Sequence, residues 1–289
     1  DAVKFQTFDP DLLVHPSHEL YDFFVKYRLP HDWHKELKDA AEERGMLFFS
    51  SPFDENAVEF LAGLGVPAFK IASSELTNLP LIHKCASYGR PILMSTGMGS
   101  LAEAGAAIEA CHIEENHDVA VLHCISQYPT PIDHSQINAV LELGRLFGIV
   151  SGFSDHSLSP TLPAVAVAYG ARIIEKHFTL SRDLEGPDHA VALEPDEFAL
   201  MARACREAVV ALSAPGKTIT PELKLVRKAS MRGLYAAEDI VAGTRVEKRH
   251  VVALRPSATL SVKDMHCVLG RTAQVDLKRG DALKPEHFE

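Results

Sequence analysis

The chain has 289 residues, of which 46% are hydrophobic and 24% are charged. This composition, without a glycine-proline period or a run of about eighteen apolar residues, excludes fibrous, disordered and membrane-spanning classes. The net charge of -10 gives no overall attraction for nucleic acid or an anionic membrane, so an anionic ligand must meet a local cluster of cations. Five scattered cysteines, without a CxxC pair or a secretory segment, predict reduced thiols and a cytoplasmic location.

Short β-rich runs alternate along the chain with stretches of helical character. The runs span residues 2–8, 46–50, 68–72, 91–95, 119–124, 149–153 and 171–178. Helical patterns include residues 32–44, 101–111, 160–169 and 195–212, and the glycines that follow expected helix ends are Gly45, Gly89, Gly148 and Gly170. This alternation predicts parallel strands joined by crossover helices.

The number of βα units favours a closed barrel. Seven units are followed by a long helix, and no GxGxxG follows an early strand, so a (β/α)8 TIM barrel is favoured over an open dinucleotide-binding sheet. The sequence opens inside a strand at Ala2, which has no preceding element to pair with. We therefore expect the first βα unit of the barrel to be absent from this numbering.

The remaining sequence predicts a second, smaller domain. We assign residues 1–212 to the barrel and 213–230, rich in Ser, Pro, Gly, Thr and Lys, to a linker. Residues 231–289 contain an internal repeat, because the segment 236–243 recurs 37 residues later as 273–280. Two copies of an Asp-apolar-x-x-Gly turn between short strands predict a compact, pseudo-symmetric β module.

Polar residues close two of the later strands, and barrel chemistry is carried at strand carboxyl ends. His156 follows one run, and Glu175 and His177 lie in the next, on one face because strand side chains alternate, while Lys176 points the other way. The two histidines could converge on one divalent transition metal such as Mn, Fe, Co or Zn. Alternatively, each is an ordinary hydrogen-bonded or exposed histidine. Asp188 lies in a Gly-Pro-Asp-His turn that could fold over the mouth.

Two lysines lie inside otherwise apolar strands. Burying Lys4 or Lys70 without a partner would cost several kcal/mol, so each needs an anion. The partner is either a core carboxylate or a bound ligand. Small hydroxyls follow other strands, at Ser50, Ser51, Ser73, Ser74, Ser95, Thr96 and Ser126. Lysines with hydroxyl donors predict a pocket for phosphate plus carboxylate.

Several segments, in this order, resemble the motifs of the sialic acid synthase family, which includes N-acetylneuraminate, legionaminate, pseudaminate and spore coat polysaccharide relatives. They are 3–6 (VKFQ), 50–53 (SSPF), 70–73 (KIAS), 95–98 (STGM), 123–124 (HC), 128–131 (YPTP), 152–157 (GFSDHS), 175–179 (EKHFT) and 186–189 (GPDH). Residues 231–289, with 232–240 (RGLYAAEDI) and 254–256 (LRP), resemble the family's antifreeze-like SAF domain.

The resemblance implies an enzyme that condenses phosphoenolpyruvate with an N-acylated amino sugar, such as N-acetylmannosamine, using Mn²⁺ or Mg²⁺. It implies that the metal is held by His156 and His177, with Gln6, Glu175 and His177 at the reacting atoms. Phosphoenolpyruvate would be bound by Lys4, Lys70, Ser73, Ser95, Ser126, Tyr128 and Ser154. Asp188 would meet the sugar hydroxyls and Arg255 its N-acyl group, in a domain-swapped homodimer.

Some positions depart from the family pattern. The Ala-Glu-x-Gly-x-Asn-His stretch, with its active-site Glu, does not occur in the sequence. Ser51 stands where Thr is usual, Ser126 where Asn is common, and 191–192 and 257–261 also differ, so the acceptor sugar is not defined by the sequence. The alternatives are another phosphoenolpyruvate-condensing barrel enzyme, of the 3-deoxy-octulosonate or heptulosonate phosphate synthase type, or a non-catalytic carbohydrate-binding scaffold.

Overall fold

A computed structural model describes residues 1–214 and 216–289, which form two compact units. Unit 1 spans Asp1–Ser213 and unit 2 spans Ala214–Glu289. Inside the segment predicted as a linker, residues Pro221–Ser230 form a helix of unit 2. Among the described residues, no helix has the length and apolar character needed to cross a membrane.

Unit 1 is built on a parallel sheet whose strands follow one another in chain order. Over the described residues, these strands are β1 (Ala2–Thr7), β2 (Leu47–Pro52), β3 (Phe69–Ile71), β4 (Ile92–Ser95), β5 (Val119–Cys124), β6 (Val150–Asp155) and β7 (Ile173–Lys176). Each strand pairs in parallel with the next. All seven predicted runs are strands, although the last is shorter than the sequence pattern suggested.

Helices connect the successive strands of unit 1, and a last helix follows β7. They are α1 (Pro10–Leu13), α2 (Tyr21–Tyr27), α3 (His31–Glu42), α4 (Glu55–Leu64), α5 (Leu79–Ala86), α6 (Leu101–Ile113), α7 (Asn138–Phe147), α8 (Leu162–Ala168) and α9 (Pro195–Leu212). Local signals set their ends. Ser100 and Glu103 form a reciprocal capping box at the start of α6, and α7 ends at Gly148, whose φ of +67° suits a residue without a side chain.

The main apolar core lies between the sheet and the surrounding helices. Phe69 and Ile71 of β3 are fully buried in this core, beside Phe48 and Met94 of the neighbouring strands. Because side chains alternate along a strand, Lys70 lies on the opposite face of the sheet from Phe69 and Ile71. The core therefore fixes which face of β3 carries the lysine.

The sheet is curled rather than flat. In a flat sheet, β1 and β7 would be separated by six strand spacings, or roughly 29 Å. Lys4 Nζ on β1 nevertheless lies 3.9 Å from Glu175 Oε1 on β7. Within the described residues, no backbone pairing joins β7 directly to β1. The predicted fold class is confirmed: a curled parallel α/β sheet of the TIM-barrel type is followed by a small β-containing domain.

Unit 2 begins with α10 (Pro221–Ser230) and contains the antiparallel strands β8 (Gly233–Ala236) and β9 (Val251–Leu254). The repeat is visible in its hydrogen bonds. Asp239 Oδ1 accepts from Arg279 N at 2.9 Å, and Asp276 Oδ1 accepts from Ala242 N at 2.8 Å. Ile240 and Leu277 form an antiparallel bridge between the copies. Each pair of equivalent positions is separated by 37 residues, so the two turns are related by an approximate two-fold axis.

Candidate active site

A carboxylate from the last strand compensates the two strand lysines. Glu175 Oε2 lies 3.8 Å from Lys70 Nζ, and Glu175 Oε1 lies 3.9 Å from Lys4 Nζ. Burial lowers the pKa of Lys70, although Glu175 opposes this shift. For Glu175, burial raises the pKa, but Lys70, Lys4 and a hydrogen bond from Ser154 outweigh it and bring the value to about 2. Glu175 is therefore ionised at neutral pH and is the anionic partner that the lysines need.

Strand-end hydroxyls surround this cluster. Lys70 Nζ donates to Ser95 Oγ at 2.6 Å, and Ser154 Oγ donates to Glu175 Oε1 at 3.1 Å. Ser95 and Ser154 are both buried. Ser73 Oγ accepts from Gly97 N at 2.9 Å. Because Ser95 Oγ accepts from an ammonium group, its own proton is free to point towards a ligand.

The turn after β4 brings further hydroxyls close together. A Cβ atom at Gly97 would lie 2.3 Å from Ser126 Oγ, 2.8 Å from Ser73 Oγ and 2.9 Å from Cys124 Sγ. The backbone of this turn also accepts a hydrogen bond from Ser126 N, at Gly97 O. A β-carbon at this position would force these side chains to move, so glycine suits the turn.

Two imidazoles lie side by side beyond β6 and β7. The ring centres of His156 and His177 are 5.2 Å apart. The Tyr128 ring lies 4.1 Å from that of His156 and 6.1 Å from that of His177. Both histidines come from the ends of neighbouring strands, as the sequence spacing predicted. They belong to the same site as the lysines, because Lys4 and Glu175 both act electrostatically on His177.

Both imidazoles are neutral at pH 7. His156 Nδ1 lies 2.8 Å from Ile125 O, and because a carbonyl can only accept, the ring proton is on Nδ1 and the lone pair is on Nε2. Burial lowers the pKa of His156. Burial also lowers the pKa of His177 to about 4, with His156 and Lys4 adding to the effect and Asp188 opposing it.

The hydrogen bonding of His156 and the distance between the two rings both fit a divalent metal. A metal-ligating histidine usually donates its second ring N–H to a carbonyl or carboxylate, as His156 does to Ile125. The centre of a ligating imidazole lies about 3 Å from the ion, so rings up to roughly 6 Å apart can share one ion, and 5.2 Å satisfies this limit. Within residues 1–214 and 216–289, however, no group of three or more His, Cys, Asp or Glu side chains is arranged to hold a metal. The residues therefore suit an ion with two protein ligands and open positions.

The loop that carries Asp188 folds back towards the imidazoles. Leu193 N donates to His177 O at 3.0 Å, and Thr179 Oγ1 lies 2.7 Å from His189 Nδ1. These bonds bring Asp188 Oδ2 to 3.6 Å from His177 Nδ1, with about half of the aspartate side chain exposed. Asp188 therefore lies at the open side of the imidazole pair.

Four of the predicted site residues have exposed positions, namely Gln6, Tyr128, Asp188 and Arg255. Gln6 is exposed on β1 and shares the face of Lys4, two residues before it. Arg255 is exposed and follows β9 in unit 2, whereas the other predicted site residues all lie in unit 1.

A buried ion pair behind the imidazoles was not predicted from the sequence. Lys176 Nζ donates to Asp155 Oδ2 at 2.6 Å and to Ser157 O, and both charged side chains are 1% exposed. Asp155 also accepts from Ser157 N at 2.8 Å and from Ser157 Oγ at 3.1 Å. Asp155 directly precedes His156, and Lys176 directly precedes His177, so the pair holds both strand ends in register.

Cys124 was also missed as a site residue. Its Sγ lies 3.7 Å from His156 Nδ1, and burial raises the pKa of the thiol. It is the last residue of β5, so the rule that strand ends carry the site would have identified it.

Polar and charged side chains gathered at the carboxyl ends of a curled parallel sheet are typical of α/β-barrel enzymes. Comparison with known proteins identifies the particular family. The NeuB family model matches residues 1–217 and the SAF domain model matches residues 232–289, so the chain belongs to the NeuB family and ends in a SAF domain.

Similar proteins include synthases of several nonulosonic acids. The chain is 36% identical over 303 residues to a pseudaminic acid synthase of Campylobacter jejuni, covering 100% of this chain and 88% of the relative. It is 32% identical over 307 residues to an N,N'-diacetyllegionaminic acid synthase of Legionella pneumophila, covering 100% and 86%. The crystal structure of a sialic acid synthetase from Leptospira borgpetersenii in complex with citrate superposes with a TM-score of 0.73 at 28% identity, covering 78% and 79%. The chain thus belongs to a family of nonulosonic acid synthases.

Proposed function

We propose that the protein condenses phosphoenolpyruvate with an N-acylated amino sugar, N-acetylmannosamine or a related 2-acetamido sugar, to give a nonulosonic acid and phosphate. The observation that supports this most directly is the juxtaposition of Lys4 and Lys70 with the neutral imidazoles of His156 and His177. The first pair suits a phosphorylated carboxylic acid, and the second suits a cation beside an aldehyde.

The lysine side of the site would bind the anionic groups of phosphoenolpyruvate. Lys4 and Lys70 supply positive charge, and the hydroxyl donors assigned to this substrate are Ser73, Ser95, Ser126, Tyr128 and Ser154. Ser95 is oriented by Lys70, since its oxygen already accepts from the ammonium group. Fixed donors in a site that excludes water stabilise charge without reorganisation during the reaction.

A divalent metal, Mn²⁺ or Mg²⁺, would be held by His156 and His177. When bound, it would supply Lewis-acid polarisation of the sugar aldehyde. Imidazole ligands favour a transition metal such as Mn²⁺ over Mg²⁺. The Ile125 carbonyl keeps His156 Nε2 free of a proton, and the low pKa of His177 keeps that ring neutral, so neither ring needs to lose a proton before it binds a cation.

The proposed reaction joins C3 of phosphoenolpyruvate to the aldehyde carbon of the open-chain sugar. The electrons of the C2–C3 double bond form this new bond, and the aldehyde oxygen takes up a proton to become a hydroxyl. Water then adds to the resulting cation at C2 and loses a proton, and the tetrahedral intermediate expels phosphate by cleavage of its C2–O bond. Lys4 and Lys70 would stabilise the departing phosphate, and Gln6 and Glu175 would act beside the reacting atoms. Asp188, exposed beside His177, would hydrogen-bond the sugar hydroxyls.

We also propose that the protein is a domain-swapped homodimer. In this dimer, Arg255 of one subunit reaches the N-acyl group of the sugar that is bound to the other subunit. Residues 1–213 carry all of the acidic excess of the chain, whereas residues 214–289 contain more Lys and Arg than Asp and Glu. Opposite charge favours association of the second unit of one chain with the first unit of a partner chain. Sedimentation velocity should detect a dimer, and a monomer at micromolar concentration would contradict this part of the proposal.

The activity is tested by phosphate release from phosphoenolpyruvate with Mn²⁺ and a panel of 2-acetamido sugars. Arabinose 5-phosphate and erythrose 4-phosphate are tested in parallel as acceptors of the alternative class of enzyme. We expect release with at least one 2-acetamido sugar and a product whose mass equals sugar plus pyruvate. Release with the phosphorylated sugars instead would support the alternative barrel enzyme. A folded protein that is inactive with every sugar would support the carbohydrate-binding scaffold.

The metal assignment is tested separately by elemental analysis after dialysis against Mn²⁺. His177→Ala should lose bound metal, whereas His112→Ala, a change of the same kind on α6, should retain it. Equal metal content in the two variants would overturn the assignment of His177 as a ligand.

A further inference from the structure

Glu175 occupies the same donors that the proposed function assigns to the substrate anions. Its two oxygens face Lys4 and Lys70, and one of them also accepts from Ser154. The inference below rests on that proposed function. It concerns what Glu175 does when no substrate is bound.

The contacts between Glu175 and the lysines are loose. Direct hydrogen bonds between ammonium and carboxylate are about 2.7–2.9 Å long. The observed distances are 3.8 Å to Lys70 and 3.9 Å to Lys4, so neither ion pair includes a short hydrogen bond. The short bonds of Lys70 go instead to Ser95 Oγ and Ile71 O. An anion that approaches either ammonium group to hydrogen-bond distance would therefore interact with it more strongly than Glu175 does.

The carboxylate is also more accessible than the lysine behind it. The side chain of Glu175 is 22% exposed, and that of Lys70 is 2% exposed. A ligand entering from the open side thus meets Glu175 before it can neutralise Lys70. Without any anion, the buried ammonium group of Lys70 would be uncompensated, which is strongly unfavourable.

We propose that Glu175 is a built-in counter-anion. It compensates the charges of Lys4 and Lys70 in the empty site. When substrate binds, the phosphate and carboxylate groups of the substrate displace Glu175 as the partners of the two lysines. Once displaced, its carboxylate is a like charge beside the bound anion, which limits the affinity for phosphate and favours release of this product. The carboxylate therefore stabilises the site when no ligand is bound and lowers the affinity of the site for a bound anion.

The test uses inorganic phosphate alone, measured by isothermal titration calorimetry and by the shift in melting temperature. Glu175→Gln keeps the size of the side chain and removes its charge. Glu59→Gln is the matched control, because it removes an exposed carboxylate that pairs with Lys84. We expect Glu175→Gln to bind phosphate roughly tenfold more tightly than the wild type, as expected when a neighbouring like charge is removed.

Thermal melting gives a second signature of the same proposal. Without phosphate, Glu175→Gln should melt at a lower temperature than the wild type, and saturating phosphate should raise its melting temperature by more than that of the wild type. Glu59→Gln should follow the wild type in both measurements. Phosphate binding by Glu175→Gln that is equal to or weaker than wild-type binding would overturn the proposal.

Lys70→Met separates this inference from the proposed function. It should lose phosphate binding, both alone and combined with Glu175→Gln. If Lys70→Met loses phosphate binding but Glu175→Gln gains none, the anion site stands and the counter-anion role is wrong. If Glu175→Gln gains affinity and the wild type condenses no sugar, the counter-anion role stands and the proposed function is wrong. Wild-type phosphate affinity in Lys70→Met would overturn both.

Discussion

Replacement of Lys176 by methionine should destabilise unit 1 while leaving the imidazoles chemically intact. The variant keeps the length of the side chain but removes the ammonium group that pairs with Asp155. Both side chains are 1% exposed, so water cannot replace the lost partner. Removal of one member of a buried ion pair typically costs 3–5 kcal/mol. Asp155 retains the two hydrogen bonds from Ser157, so we expect a value near the lower end, about 3 kcal/mol.

The free energy of unfolding is measured by urea titration with far-ultraviolet circular dichroism. Lys35→Met is the matched control, because Lys35 forms an exposed pair with Asp39 on α3 and its loss should change stability little. The double variant Asp155→Asn with Lys176→Met should be more stable than the sum of the single changes predicts, by at least about 1 kcal/mol, because it leaves no unpaired charge. The double variant separates loss of the ion pair from loss of packing.

The same variants report on the site. Since Asp155 and Lys176 adjoin His156 and His177, Lys176→Met should also weaken Mn²⁺ binding, and Lys176→Arg should restore part of it. A free energy of unfolding within about 0.5 kcal/mol of that of Lys35→Met, which is the usual variation among surface substitutions, would refute the reasoning that the pair is desolvated and essential.

Two further predictions concern Gly97, beside the site, and His34, which is buried on α3. Gly97→Ala should lower stability by about 1–3 kcal/mol and weaken phosphate binding, because its Cβ would overlap Ser126, whereas Gly63→Ala, in open space on α4, should be neutral or stabilising. Urea titration of both variants checks this, and equal stability would contradict it. Burial lowers the pKa of His34 below its ordinary 6.5, so the unfolded chain binds more protons and stability should fall as the pH drops below about 6.5. Between pH 8 and pH 5, the melting temperature of His34→Gln should fall less steeply with decreasing pH than that of the wild type. Identical slopes in the two proteins would show that His34 does not cause the pH dependence.

The sequence predicted the strands and most of the polar strand ends, because period-two patterns and strand-end chemistry are local properties. It also predicted that Lys4 and Lys70 need an anion, but it left open whether this was a carboxylate or a ligand. Glu175 lies on a strand at the far end of the sheet from Lys4. Their contact depends on how strongly the sheet curls, which is a property of the whole fold and has no local signal.

Other features could not be predicted from the sequence, because they also depend on contacts between distant segments. Lys176 was correctly assigned to the opposite face from His177, but its partner Asp155 is set by the register between β6 and β7. The turn-forming composition of 213–230 concealed α10, whose start is marked by the Thr220 cap and Pro221. In the repeat of unit 2, the sequence showed similarity between the copies but not the bonds that join them.

The reciprocal bonds between the two copies of that repeat have a consequence for its origin. Asp239 closes the turn of the second copy and Asp276 closes the turn of the first, so neither half can satisfy its own turn. A half-length peptide could form the same bonds by pairing with an identical molecule across an isologous interface. Unit 2 therefore has the architecture of a symmetric dimer whose subunits have become one polypeptide, as expected from tandem duplication of a self-associating ancestor.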